Sequence, residues 1–138
     1  MAAVILHDRL KADTVEVTRL DLSLLLLMNA RQWPWLILVP QRPDVREIHD
    51  LAAADRAMLM DEITRCSRLL ADLFKPDKIN IGALGNIVPQ LHVHVIARST
   101  IDPAWPKPVW STVAPEPYAP DELAKRLAAL RHALPASR

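Results

Sequence analysis

The longest amphipathic stretch does most to limit what this chain can fold into. From Leu51 to Phe74, the apolar residues Leu59, Ile63, Cys66, Leu70 and Leu73 recur at spacings of four, three, four and three. That rhythm puts them on one stripe of a helix. Arg56, Asp61, Glu62, Arg65, Arg68 and Asp72 fill much of the remaining surface. Asp50 is placed to cap the start and Pro76 to stop the end. Cys66 lies on the apolar stripe and reads as core packing rather than a nucleophile. A helix with one apolar stripe needs a layer to cover, and the flanking segments supply strands.

On the N-terminal side, residues 7–13 form a short helical or irregular start. Thr14–Arg19 alternates Val15 and Val17 with Glu16 and Thr18, a half-buried strand pattern. Leu22–Met28 and Trp35–Val39 are continuous apolar runs joined by a connection of hairpin length. Pro40 and Pro43 end the second run. Beyond the helix, Lys78–Ile81 and Leu91–Ala97 predict two more strands. Asp121–Leu134 predicts a last helix, with Leu123, Leu127, Leu130 and Leu134 on one face. Strands before and after one long helix, without strand–helix–strand alternation, indicate an α+β class with a mainly antiparallel sheet.

Length and composition bound the rest. At 138 residues the chain suits one domain over 1–138, with a core of about residues 14–100 followed by a Pro- and Trp-rich segment and the C-terminal helix, 101–138. A net charge of +1 argues against a nucleic-acid partner. The lone Cys66 excludes an intrachain disulfide and a cysteine-based zinc site. Met1–Leu6 is apolar, but charged residues follow at once and no signal pattern appears. The longest apolar run falls far short of the roughly 20 residues a bilayer demands. The expectation is a cytoplasmic protein with no membrane partner. Between Asp102 and Pro120 lie six of the twelve prolines, with Trp105 and Trp110. The expectation there is an extended tail that does not bury itself.

Glycine is scarce, and its placement is informative. There are only two, where an average chain of this length would have roughly ten. Both fall in Asn80-Ile-Gly82-Ala-Leu-Gly85-Asn86, where a turn or a close approach would require them. Gln90-Leu-His92-Val-His94-Val-Ile96 follows, alternating polar and apolar. In a strand, Gln90, His92 and His94 would line one face roughly 7 Å apart. From spacing alone three readings stay open. The face is merely polar and outward, or His92 and His94 are metal ligands, or one imidazole attacks phosphorus while the other binds phosphoryl oxygens. A metal site would need a third ligand, and His7, His49 and His132 show no ligand spacing.

The run from Asn80 to Ile96 resembles the signature of the histidine triad (HIT) family, His-φ-His-φ-His-φ-φ behind an Asn/Gly-rich phosphate loop. The resemblance continues upstream through Leu27-Met-Asn29, Pro34-Trp-Leu-Ile-Leu-Val-Pro40, Arg42-Pro43 and Ile48-His49-Asp50-Leu51. Over roughly residues 20–100 it is similar above all to the diadenosine polyphosphate hydrolase branch. Asp102–Trp110 looks like a bacterial HIT subgroup. The first triad position is Gln90 rather than His.

This resemblance implies an α+β HIT-like domain: an antiparallel sheet with one long helix and a C-terminal helix, commonly a homodimer. It implies a nucleotide hydrolase or transferase acting at the α-phosphate of a phosphoanhydride or phosphoramidate, dinucleoside polyphosphates for example, through a nucleotidyl-histidine. His92 takes the nucleophile's place and His94 that of the phosphate-contacting residue. Gln90 supports the nucleophile through its main-chain carbonyl. Asn29, Asn80, Gly85 and Asn86 would bind nucleotide and phosphate. No protein-bound cofactor or metal is implied; a Mg²⁺ ion would arrive only with the substrate. Leu27 stands where it could touch the base or belong to the sheet core. His49 reads as structural. Trp33, in a loop, is the better candidate to stack on a base, and Trp35 reads as packing. Two alternatives remain: a catalytically weak nucleotide-binding or sensing module, motivated by Gln90, and a His-x-His metal enzyme.

Overall fold

The computed structural model describes residues 4–134. Nine short or long elements follow one another: α1 (Asp8–Asp13), β1 (Thr14–Arg19), β2 (Ser23–Met28), β3 (Trp35–Pro40), a 3-10 turn (Ile48–Asp50), α2 (Ala53–Phe74), β4 (Lys78–Gly82), β5 (Val93–Arg98) and α3 (Pro120–Ala133). The strands form one five-stranded sheet in the order β1-β2-β3-β5-β4, antiparallel throughout. The class is α+β, as expected.

The central strand β3 is buried along all six residues. Its continuous apolar run follows from that: both faces are covered, so no polar alternation is needed. Leu36 and Leu38 face one layer, with Leu25 and Leu27 of β2, Val93 and Val95 of β5, and the stripe Leu59, Ile63, Cys66 and Leu70 of α2. Trp35, Ile37 and Val39 face the other, with Leu10, Leu26, Trp33, Val88, Ile96, Ala104 and Val109. Leu27 is therefore sheet core beneath the helices.

Several local expectations shift. The helix begins at Ala53, not Leu51, and its N-cap is Ala52. Asp50 instead accepts the backbone N–H groups of Arg46 and Glu47, tying down the 3-10 turn. These bonds hold its carboxyl below the usual range. At the other end Lys75 takes the left-handed conformation (φ 48°) and returns its N–H to Ala71, just before Pro76. Leu73 is 42% exposed. It lies in the last turn of the helix, one residue before Phe74. Glu62, expected on the polar side, is buried and accepts the Leu22 N–H at 2.8 Å. Burial raises its pKa, opposed by that bond. Cys66 is fully buried, its thiol pushed up to about 12 by burial, in keeping with packing.

The C-terminal helix is held by side chains that reach across the fold. Leu127 and Leu130 enter the helical layer of the core. Arg131 donates to the carbonyls of Glu16 and Val17, where the register of β1 slips by one residue. That bulge frees carbonyls that a regular ladder would have used.

The Pro- and Trp-rich segment is pinned to the fold rather than trailing free: Ala104, Val109 and Tyr118 are buried, while most of its other residues, Trp105 among them, stay exposed. Arg98 and Asp102 form a bidentate pair at 2.8 and 3.1 Å, with side chains 2% and 5% exposed. Arg98 also reaches Asn80 Oδ1 and the Lys107 carbonyl, and lies under the Trp105 ring. Asp102 accepts backbone N–H groups of Ser99, Ala104 and Trp105. Burial alone would raise the Asp102 pKa; the guanidinium and these donors outweigh it and hold the carboxyl far below its usual range. Prolines leave a segment few internal hydrogen bonds, so its order comes from partners elsewhere.

Candidate active site

Strand β5 and the loop before it carry the two histidines. They lie 5.0 Å apart, centroid to centroid. The strand starts at Val93 rather than Leu91, which leaves Gln90 and His92 in the loop's last turn. Polar alternation suggested an outward face, yet His92 and His94 are each only 7% exposed. Residues 83–90 cover one side, and Trp110 comes back from the Pro-rich segment to cover the other, its ring 5.2 Å from that of His94.

The hydrogen-bond partners settle which ring nitrogens carry protons. His92 Nδ1 lies 2.7 Å from the Gln90 main-chain oxygen. A carbonyl only accepts, so Nδ1 carries the hydrogen and, in the neutral ring, Nε2 keeps its lone pair. His94 Nδ1 lies 2.9 Å from Trp35 Nε1. An indole N–H only donates, so His94 Nδ1 is the acceptor and the neutral ring carries its hydrogen on Nε2. Burial and the neighbouring His92 push the His94 pKa down to about 3. His94 is therefore neutral across the physiological range. The neutral His92 ring offers a lone pair, and His94 beside it offers a proton donor.

The glycines serve the loop as their scarcity suggested. Gly85 has φ +74°, a left-handed conformation that L side chains rarely adopt. A Cβ on Gly82 would lie 3.0 Å from Trp110 Cη2. Small size there lets the tryptophan close over the site.

A cleft of about 330 Å³ opens beside the two histidines. Met28, Trp35, Val88, Val109 and Trp110 give it an apolar wall; Gly85 and Asn86 form its rim. A second cleft, about 340 Å³, lies on the other side of the 83–90 loop, with His49, Gln90 and His92 in its lining. Gln90, His92, His94, Gly85 and Asn86 are thus brought together. Asn29 and Asn80 are not. Asn29 Oδ1 accepts the Tyr118 N–H, and Asn80 Oδ1 accepts from Arg98. Neither lines either cleft.

The Gln90 side chain turns away from the histidines. Its amide donates to the Ile5 carbonyl at 3.1 Å and accepts the His7 N–H at 2.9 Å, strapping the N-terminal segment to the loop. The tryptophans exchange their expected roles. Trp33 is 1% exposed and packs edge-on against Trp35 at 6.0 Å. Trp35 reaches the site. Pairing explains why: Ile37 sits opposite His94 and Trp35 opposite Ile96, so the indole reaches His94 along the diagonal. His49, expected to be structural, has a side chain 83% exposed. Sequence reasoning missed Met28 and Trp110 as well. The available signal for Met28 was the two-residue period of a strand, which puts it on the face of Leu24 and Leu26; for Trp110 it was a tryptophan in a chain stretch too proline-rich to satisfy itself.

Among the described residues, no group of three or more His, Cys, Asp or Glu side chains could hold a metal ion. No helix among them is long and apolar enough to cross a membrane.

Residues 9–101 match the HIT domain family. The chain is similar to a histidine triad protein of known structure from Bradyrhizobium japonicum, at 50% identity, covering 95% of this chain and 98% of that one with a TM-score of 0.92. A histidine triad protein from Sinorhizobium meliloti 1021 is 47% identical, over 94% and 96%, with a TM-score of 0.91. Another from Marinobacter aquaeolei VT8 is 44% identical, over 96% and 97%, with a TM-score of 0.94. Among curated proteins, none matches the chain.

Proposed function

The chain belongs to the HIT domain family, and on that premise we propose that it is a nucleotide hydrolase or transferase working through a nucleotidyl-histidine. The substrate class is a nucleoside phosphoanhydride or phosphoramidate, dinucleoside polyphosphates included. The nucleoside occupies the apolar cleft beside Trp110 and Met28, with Asn86 and the Gly85 loop at the phosphates. His92 Nε2 attacks the α-phosphorus. The bond from phosphorus to the leaving group breaks, and its electron pair departs with that group. Gln90 O, accepting from Nδ1–H, steadies the imidazolium character that develops on the ring. His94 Nε2–H donates to a phosphoryl oxygen. Water then attacks the same phosphorus, His92 leaves with its lone pair restored, and a nucleoside monophosphate is released.

The observation that carries this reading is the opposed pair of tautomers. A nucleophile needs a free lone pair, and an oxyanion donor needs a hydrogen that does not depend on pH. Gln90 is compatible because the support it gives is its main-chain carbonyl. That its side chain is spent on the N-terminal segment favours a second reading, a module that binds nucleotide without turning it over. We also carry over a homodimer from the resemblance; β4 ends the sheet with an unpaired edge and a half-exposed Ile81.

Acid-quench trapping tests the chemistry. With nucleotide labelled at the α-phosphorus, wild type should retain covalent label and His92→Gln should retain none. Turnover should fall by several orders of magnitude, as on removing other nucleophiles. Because His92 is buried, the volume-conserving glutamine is preferable to alanine, and an unchanged circular dichroism spectrum guards against misfolding. Binding without label in wild type would select the second reading. Equal turnover of wild type and variant would dismiss the first.

A further inference from the structure

The cleft on the far side of the 83–90 loop differs in chemistry from the apolar one. Arg46 and Arg56 line it, with His49 and a single carboxylate, Glu47. Neither arginine has a carboxylate partner within salt-bridge distance among the described residues. Arg42, nearby in sequence, is by contrast committed to Asp55 at 2.8 Å. Arg56 donates from Nη1 to the Leu51 carbonyl, which anchors its stem. The two clefts share Leu84, Gly85 and His92. A substrate astride that boundary has its reacting phosphorus at His92, its nucleoside on the apolar side and its remaining portion between the arginines.

We propose that this basic recess is the leaving-group site, and that it selects substrates whose leaving group is a phosphate or polyphosphate chain over those with a neutral amine. The inference rests on the nucleotidyl-transfer reading and narrows its substrate class. Guanidinium forks match phosphate oxygens in geometry as well as charge. Charge on the bridging oxygen grows as its bond to phosphorus breaks, so cations at that end act in the transition state as well as in binding.

Calorimetry with inorganic tripolyphosphate on the full chain tests the site without turnover. Arg46→Gln should weaken binding about tenfold, the loss of one charge-assisted contact at an exposed position. Arg68→Gln, the same charge change on α2 away from the recess, should leave it within about twofold by the same reasoning. Equal affinity of wild type and Arg46→Gln overturns the proposal. A second measurement compares kcat/KM for a nucleoside triphosphate with that for a nucleoside phosphoramidate. The ratio should fall about tenfold in Arg46→Gln; an equal loss on both substrates overturns the leaving-group role. If tripolyphosphate binding depends on Arg46 while no nucleotide ever labels His92, the anion site stands and the transfer reading fails.

Discussion

Replacing Trp35 with phenylalanine probes the link between sheet packing and the protonation of the site. The substitution keeps an aromatic ring against Trp33 and Trp110, whose centroids lie 6.0 and 6.4 Å away. It removes the one N–H that reaches His94 Nδ1, at 2.9 Å. His94 is buried, so its nitrogen would be left without a donor. An unsatisfied buried acceptor costs about 1–3 kcal/mol. The smaller ring leaves a void worth roughly 1 kcal/mol more. For a chain of this length, a loss of 2–4 kcal/mol lowers the melting temperature by roughly 10 °C. Catalysis should suffer separately. With the lock gone, His94 divides between tautomers, and only the Nε2–H form donates to phosphate. Turnover should drop by about a few-fold, in proportion to the share of the donating tautomer, far less than the 10²–10³ expected for losing an oxyanion donor outright. Long-range proton–nitrogen NMR reads the tautomer directly, and thermal unfolding reads the stability. A Trp35→Phe protein with His94 still wholly in the Nε2–H form, melting within about 2 °C of wild type, would refute the argument.

Other consequences follow from the same contacts. His94 has a folded pKa of about 3 against 6.5 unfolded, so the unfolded chain binds more protons between those values. Stability is fully present above pH 6.5 and declines as pH falls; at pH 5 the loss from this group is about 2 kcal/mol. Urea midpoints from pH 8 to 4.5 measure it, and His94→Gln should flatten the slope. Gln90→His keeps the main-chain carbonyl that His92 uses but loses both bonds to residues 5 and 7. Turnover should stay within a few-fold, while stability falls by about 1 kcal/mol; a chemical denaturation curve beside a steady-state assay separates the two. Asp102→Asn leaves the buried Arg98 unpaired, at a cost of about 3–5 kcal/mol. Limited proteolysis should then cut within residues 102–113, where the wild-type segment resists.

Much of this protein is local, and local features are written into the sequence. The stripe on α2, the apolar runs of β2 and β3 and the alternation around His92 and His94 each arise from the period of one element, so they can be read without knowing its neighbours. Two glycines in one loop marked the place where backbone conformation mattered, and Gly85 and Gly82 use that freedom. The Gln90 carbonyl was expected from the resemblance to the HIT signature rather than from any period, and it lies 2.7 Å from His92 Nδ1.

Tertiary structure decided what closes over those elements. Alternation says that His92 and His94 share a face; it cannot say that residues 83–90 and Trp110 will cover it. Trp35 became the donor to His94 through strand pairing, and Trp33 went into the core. Glu62 was buried because the β1–β2 turn presents it with the Leu22 N–H. The Pro-rich segment folded because Arg98 and Asp102 supply the hydrogen bonds that prolines withhold. In each case the deciding partner lies more than ten residues away or in a segment without periodicity. Register and side-chain closure depend on the whole sheet being assembled, and no window of sequence contains that information.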